Sequence, residues 1–248
     1  MLKVRFLGTG TPIGAGGLLQ SCIALETANT RVLLDCGMTS MVALHRGDMD
    51  PEGIDAVIIS HLHGDHFGGL PLLLLDASMR RRTRPLLVAG PPSTAPRLRQ
   101  ALADFGWTGT WEHCQNFLNF GTLRPREPAD VADLRVTAYP VPHYPGTEPT
   151  AIRLEHGDKV IAYSGDAGWS STLLEAAESA DLFICAVWSF DEDDPSFLDY
   201  RTFRRHQHEF RAKRILLTHL GPPMLDRLSD VQVDNVEVAT DGLWIDLL

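Results

Sequence analysis

Residues 3–7 alternate apolar with polar and carry β-branched and aromatic members, which predicts an opening strand. A Gly-rich loop over 8–17 follows, then two further strands at about 21–26 and 31–35 joined by a turn at Asn29. Residues 55–60 (DAVIIS) are nearly continuously apolar, the pattern of a strand buried on both faces. Longer periodicities predict helices at 39–44, 67–78, 94–105, 171–179 and 199–210, with Pro71 tolerated in a first turn. Further strands are expected at 85–89, 134–141, 181–187 and 215–218. Residues 151–155 and 159–163 read as a hairpin turned at Gly157 and Asp158. Strands at 236–239 and 243–246, turned at Asp241 and Gly242, close the chain. Residues 106–133, rich in Gly, Pro and aromatics, show no clear period. The order of elements is similar in the two halves, with no short repeat and no linker. That predicts an α/β layered sandwich of mixed sheets with outer helices, as one domain over 1–248.

Composition narrows the classes. Of 248 residues, 44% are hydrophobic and 22% charged, which excludes a disordered chain, a collagen and a coiled coil. No apolar run approaches the ~18 residues of a membrane span. The N-terminus lacks the apolar core and small-residue cleavage site of a signal peptide, and no Cys-x-x-Cys pair occurs. The expectation is therefore a cytoplasmic protein with Cys22, Cys36, Cys114 and Cys185 as reduced, buried thiols. Thirty-two acidic residues against 22 basic give a net charge of −10, so charge does not support nucleic-acid binding. The clusters Arg80, Arg81, Arg82, Arg84 and Arg201, Arg204, Arg205, Arg211, Lys213, Arg214 read as solvated faces.

Candidate chemistry lies in the loop after 55–60, which reads His61-Leu62-His63-Gly64-Asp65-His66. Ligands this dense cannot all face one metal. His61 and His63, two apart, point to one side of an extended segment, while adjacent Asp65 and His66 can face a second centre. The spacing suggests two metals, and imidazole and carboxylate without thiolate suit Zn, Mn or Fe. Six residues cannot complete two coordination shells. His143, Asp166 and His219 each follow an apolar strand, and sites in α/β folds gather at strand ends. His45, His113, His156, His206 and His208 lack this context and are expected on the surface.

The segments SHLHGDHFGG (60–69), His143, SGD (164–166) and Thr218-His219, with Asp35-Cys36-Gly37, resemble the metallo-β-lactamase-fold hydrolases over nearly the whole chain. The openings VRFLGTGTP (4–12) and SHLHGDHFGGLP (60–71), together with AYSGD (162–166) and VEVATDGLWI (236–245), resemble the ribonuclease Z-like phosphodiesterase branch. The resemblance implies a four-layer αβ/βα sandwich with a dinuclear centre at one edge. It implies two divalent metal ions, zinc foremost, with Mn or Fe also suited. His61, His63 and His143 would hold the first; Asp65, His66 and His219 the second; Asp166 would bridge both. Asp65 and Asp166 are the implied catalytic carboxylates, and Asp35 a candidate for fixing imidazole tautomers. The tRNA-maturing members carry His-Glu-Ala-Thr where this chain reads Cys185-Ala186-Val187-Trp188, so neither the assisting His nor Glu is present.

The expected activity is metal-dependent cleavage of a phosphodiester in a cyclic or small nucleotide-like substrate, with no membrane partner and a homodimer consistent with the branch. A thioester or lactam hydrolase of the same fold, and a non-catalytic metal-binding sensor, are the alternatives. The loop 8–17 could offer backbone N–H groups to an anion, and Trp107, Trp111 and Phe117 could line a substrate pocket.

Overall fold

The computed structural model describes residues 2–231 and 235–247. Strands β1 (Leu2–Gly8), β2 (Cys22–Glu26), β3 (Arg31–Leu34), β4 (Ala56–Ile58), β5 (Leu86–Gly90) and β6 (Leu118–Thr122) belong to one sheet. Strands β7 (Ala129–Val131), β8 (Leu134–Pro140), β9 (Thr150–His156), β10 (Lys159–Tyr163), β11 (Leu182–Ala186), β12 (Ile215–Thr218) and β13 (Val236–Val238) form a second, and β14 (Trp244–Leu247) returns to the edge of the first. Each sheet has seven strands, ordered β14-β1-β2-β3-β4-β5-β6 and β13-β12-β11-β10-β9-β8-β7. Within the first, β3 to β6 run parallel; within the second, β10 to β13 do.

The period of two along each strand sets the layering. Val32 and Leu34 face a core between the sheets, whereas Leu33 faces outward; Leu182 and Ile184 face that inner core, and Phe183 and Cys185 face outward. The outward faces are covered by helices. On the first sheet lie α1 (Ser40–Arg46), α3 (Leu70–Met79), α4 (Thr94–Asp104) and α5 (Thr108–Cys114), with the short α2 (Gly64–Phe67) leading into α3. On the second lie α6 (Ser171–Ala176), α7 (Tyr200–His206) and α8 (Pro222–Leu225). Leu70, Leu73, Leu74 and Ala77 bury one stripe of α3 at helical spacing, and Leu98 and Leu102 do so for α4. The result is the four-layer α/β sandwich expected from the sequence.

Several readings need correction. The closing pair around Asp241 and Gly242 is no hairpin, because β13 pairs with β12 in one sheet and β14 with β1 in the other. The unread stretch 106–133 holds α5, β6 and β7, whose polar, half-exposed strands carry no hydrophobic signal. Arg82 is buried, its guanidinium donating to the carbonyls of Pro51, Glu52, Ile54, Arg84 and Pro85, so that cluster is not wholly a solvated face. Only the start of the loop 8–17 is packed, a Cβ on Gly8 lying 2.0 Å from the Gln20 carbonyl oxygen, whereas Pro12, Ile13, Gly16 and Gly17 are exposed. His45 and His208 are exposed, but His113, His156 and His206 are half-buried, His206 stacking on Trp169 at 3.8 Å. All four cysteines are buried free thiols, and burial pushes Cys22 up to about 12.

The crossing between sheets is fixed by one carboxylate. Asp241 accepts from Thr9 N at 2.9 Å, Thr9 Oγ1 at 2.8 Å and Leu19 N at 2.8 Å. Asp241→Ala should therefore cost about 2–4 kcal/mol of stability in urea unfolding, since three charge-assisted bonds lose their acceptor. A loss below about 0.5 kcal/mol would show that water replaces it.

Candidate metal centre

The C-terminal ends of β3, β4, β8, β10 and β12 meet at one edge of the sandwich, and each delivers a polar side chain there: Asp35, then His61 and His63, His143, Asp166 and His219. Asp65 and His66 arrive on α2. The sheets approach closely: Thr150 N and Oγ1 both donate to the Ser60 carbonyl, at 3.1 and 2.8 Å. Gly165, at φ 55°, sits in this crossing, where a Cβ would lie 2.8 Å from the Thr150 carbonyl oxygen. Asp35 and His219 adopt left-handed backbone (φ 60° and 56°) directly after their strands, a strained turn that concentrates at functional sites.

All seven residues singled out as ligands come together. His61, His63, His143 and Asp166 form one group and Asp65, His66, His219 and Asp166 a second, the ligand atoms within each lying within 4.8 Å of one another. Asp166 belongs to both: its Oδ1 lies 3.2 Å from His66 Nε2, and its Oδ2 lies 3.5 Å from His219 Nε2 and 3.9 Å from the Nε2 atoms of His61 and His143.

Hydrogen bonding behind the rings fixes what they present. The Asp35 carboxylate, fully buried, accepts from Ser60 N (2.8 Å), Ser60 Oγ (2.7 Å), Tyr163 Oη (2.9 Å) and His66 Nδ1 (2.7 Å). Ser60 has donated its only hydroxyl proton, so at 3.1 Å it accepts from His61 Nδ1. His143 Nδ1 donates to the Ser196 carbonyl at 2.7 Å. His61 and His143 therefore turn Nε2 toward the centre as a lone pair, and His66, its Nδ1 held by Asp35, turns its Nε2 to the same place.

Those lone pairs converge. His63 Nδ1 lies 3.2 Å from His61 Nε2 and 3.1 Å from His143 Nε2, and one ring nitrogen can share a proton with only one of them. His66 Nε2, Asp166 Oδ1 and His219 Nδ1 are buried with no hydrogen-bond partner among the described residues. Two nitrogens bound tetrahedrally to one zinc at roughly 2.0–2.1 Å lie about 3.3 Å apart. The observed 3.1 and 3.2 Å separations, and 3.0 Å from Asp65 Oδ2 to His219 Nε2, match that edge. The residues present fit divalent cations.

Electrostatics point the same way. Burial would raise the Asp166 pKa, but His219 and His66 hold it well below the usual carboxylate range. His66 is disfavoured as a cation by burial, yet Asp166 and Asp35 carry its pKa well above normal. Burial and the charge of His66 push His61 well below its ordinary value. A cation entering the second group must therefore displace a proton from His66, so its affinity rises with pH.

The centre opens into a cavity of about 500 Å3 lined by His63, Asp65 and Asp166 and by Pro12, Gln20, Met38, Tyr144, Trp188 and Phe197. Trp107, Trp111 and Phe117 are not there; α5 packs them against the outer core of the first sheet. Sequence reasoning missed Ser60, Tyr163, Tyr144, Trp188 and Phe197. Tyr163 ends an apolar strand next to SGD, and that lone hydroxyl facing inward was its signal. Cys185 is fully buried in the outer core of the second sheet.

A family model described as Anti-Pycsar protein Apyc1 matches residues 2–233. The Anti-Pycsar protein Apyc1 of Paenibacillus sp. (strain J14) is 30% identical over 175 residues, covering 70% of each chain. Ribonuclease Z of Methanococcus maripaludis (strain C6) is 32% identical over 142 residues, 57% of this chain and 46% of that protein. The chain spans about half the length of several ribonucleases it matches. Among solved structures, the metallo-β-lactamase-fold protein YhfI from Bacillus subtilis superposes with a TM-score of 0.82 at 22% identity, covering 99% and 100% of the two chains. A PhnP-family diphosphatase superposes with a TM-score of 0.80 at 15% identity, covering 100% and 98%.

Asp35→Asn keeps the shape of the side chain but brings an N–H2 among four donors. Zinc affinity, read by chelator competition, should fall roughly 10–100-fold, while a change under about threefold would contradict the role given to Asp35.

Proposed function

The chain belongs to the anti-Pycsar Apyc1 family, and on that premise we propose that it is a dinuclear metallohydrolase cleaving a phosphodiester in a cyclic or small nucleotide-like substrate. The observation that carries the reading is the pair of four-ligand groups sharing Asp166. Its relatives include ribonucleases Z, and its fold is that of metal-dependent hydrolases. We propose zinc, since every donor is nitrogen or oxygen and the spacings are tetrahedral, with manganese or iron suited by the same donors.

His61, His63 and His143 would hold one cation and Asp65, His66 and His219 the other, with Asp166 between them. When bound, two such cations supply Lewis acidity and bring the pKa of water near neutrality. The protein does the rest. Asp35, through Ser60 and directly, holds His61 and His66 in the tautomers that present Nε2. The Ser196 carbonyl does the same for His143. Asp65, which lines the cavity, would orient the attacking water. Asp166 remains ionised and would fix the separation of the two charges.

Beyond the ligands, no histidine lines the cavity among the described residues. Cys185 and Ala186 stand where the resembling tRNA-maturing enzymes carry the His and Glu that assist proton transfer. Together with the net charge of −10, this favours a small phosphodiester over tRNA.

Elemental analysis of the purified protein should give about two metals per chain. A screen with bis(p-nitrophenyl) phosphate, a 2′,3′-cyclic nucleotide and a glutathione thioester should give phosphodiester turnover, lost on chelation and restored by zinc. Thioester turnover alone would move the assignment to that bond. Less than one metal after reconstitution, with no turnover, would favour a binding role. Asp166→Ala should stay folded, bind metal more weakly and lose turnover by at least ~10²–10³-fold, the scale of removing one electrostatic stabiliser; full activity would contradict the shared-ligand assignment.

A further inference from the structure

The imidazoles of the candidate centre are not all held in the same way. His61, His66 and His143 are each fixed through Nδ1, by Ser60 Oγ, Asp35 and the Ser196 carbonyl. His219 has no such support, for its Nδ1 is buried without a hydrogen-bond partner among the described residues. Its Nε2 lies 3.0 Å from Asp65 Oδ2, itself a member of the same ligand group. The rings of His66 and Trp188 bound it at 5.1 and 6.1 Å between centroids. Where this ring points is therefore left to its backbone, which is left-handed at φ 56°. A residue other than glycine stays in that region only where its surroundings hold it there.

The hold comes from the far end of the chain. His219 N donates to the Thr9 carbonyl at 2.9 Å, and Thr218 Oγ1 lies 3.4 Å from the same oxygen. Thr9 is fixed in turn, since its amide and its hydroxyl both donate to Asp241 Oδ1, at 2.9 and 2.8 Å. The other carboxylate oxygen, Oδ2, accepts from Leu19 N at 2.8 Å, and the Leu19 carbonyl accepts from Gly10 N at 2.6 Å. One side chain on the crossing between β13 and β14 thus clamps both stems of the loop 8–17. It also fixes the residue whose carbonyl anchors His219. Thr9 and His219 are both buried, so the bond between them is closed to water.

We propose that Asp241 is a positioning residue for the second ligand group, acting through Thr9 on the backbone of His219. It sets the affinity of Asp65, His66 and His219 for their cation and leaves the group of His61, His63 and His143 as it is. This rests on the two-cation reading above and deepens it. A carboxylate suits the task because it accepts from Thr9 and Leu19 and gives no hydrogen. An asparagine must turn its N–H2 on one of them. Turned toward Leu19, it still offers its oxygen to Thr9, so the effect on His219 separates an alanine from an asparagine at this position.

Chelator competition on the zinc-loaded protein tests it without turnover. His219→Ala and His143→Ala assign the zinc-binding steps, each removing the step of its own ligand group. Asp241→Ala should weaken the His219 step roughly 10–100-fold, the range for partners that stand behind metal ligands, and change the His143 step by less than about threefold. Asp241→Asn should keep most of the affinity. Leu98→Ala, which opens a cavity under α4, an element without ligands, should leave both steps in place although it too destabilises the fold. In metal-free protein the His219 amide proton should move upfield in the NMR spectrum of Asp241→Ala, as a lost hydrogen bond requires, and stay in place in Leu98→Ala. Should Asp241→Ala not fold, Thr9→Val removes one donor to Oδ1 at nearly constant volume and should weaken the same step; an unmoved step there overturns the proposal. So do equal losses in both steps, no loss in either, or the same selective loss in Leu98→Ala. If His219→Ala removes no zinc step, the two-cation reading falls instead. The metal-free His219 amide then decides whether Asp241 holds it, and an amide unmoved in Asp241→Ala overturns the positioning role as well.

Discussion

A carboxylate buried without a lysine or arginine beside it is the constraint on which the centre depends. Asp35 is fully enclosed, and burying an ionised group is costly unless it is fully hydrogen-bonded. Four donors meet it, from β4's exit, from α2 and from β10 in the opposite sheet. That requirement ties the two sheets together at one edge. It also dictates the protons on the rings behind it, because a carboxylate takes hydrogens and gives none. Ser60 and His66 must point their hydrogens at Asp35, and His61 must point its own at Ser60. The remaining ring nitrogens all face inward.

The consequence is an edge that protein alone does not satisfy. Imidazole nitrogens 3.1–3.2 Å apart, with a shared carboxylate between two groups, repel one another unless positive charge lies among them. A proton on His66 would supply part of it, and divalent cations held by the two groups would supply the rest. The strained backbone at Asp35 and His219 belongs to the same design: strands end, the chain turns sharply, and side chains are aimed across the gap. The chain carries a net charge of −10, so positive potential at this edge would have to come from cations held there.

Much of this was legible in the sequence, for a physical reason. Strands buried on both faces, such as 55–60, write continuous apolar runs, and polar residues at their exits stand out against them. His143, Asp166 and His219 were visible that way, and the dense His61–His66 loop marked where they meet. Elements that pack little apolar surface wrote nothing: β6 and β7 lie at or beside sheet edges, and α5 hides among aromatics that seemed to promise a pocket. The turn at Asp241 looked like a hairpin because local turn chemistry is the same whether the next strand pairs with its neighbour or crosses to the other sheet. Trp188 and Phe197 come together only through the tertiary path of the loop between β11 and α7, so no spacing could announce them.

X-ray absorption at the zinc edge of the reconstituted protein tests the central claim most directly. The account predicts a first shell of nitrogen and oxygen only at about 2.0–2.1 Å, with a metal–metal shell at roughly 3.5–4 Å. A sulfur shell near 2.3 Å, or no metal–metal shell in protein carrying two zinc ions per chain, would contradict a dinuclear centre built on Asp166.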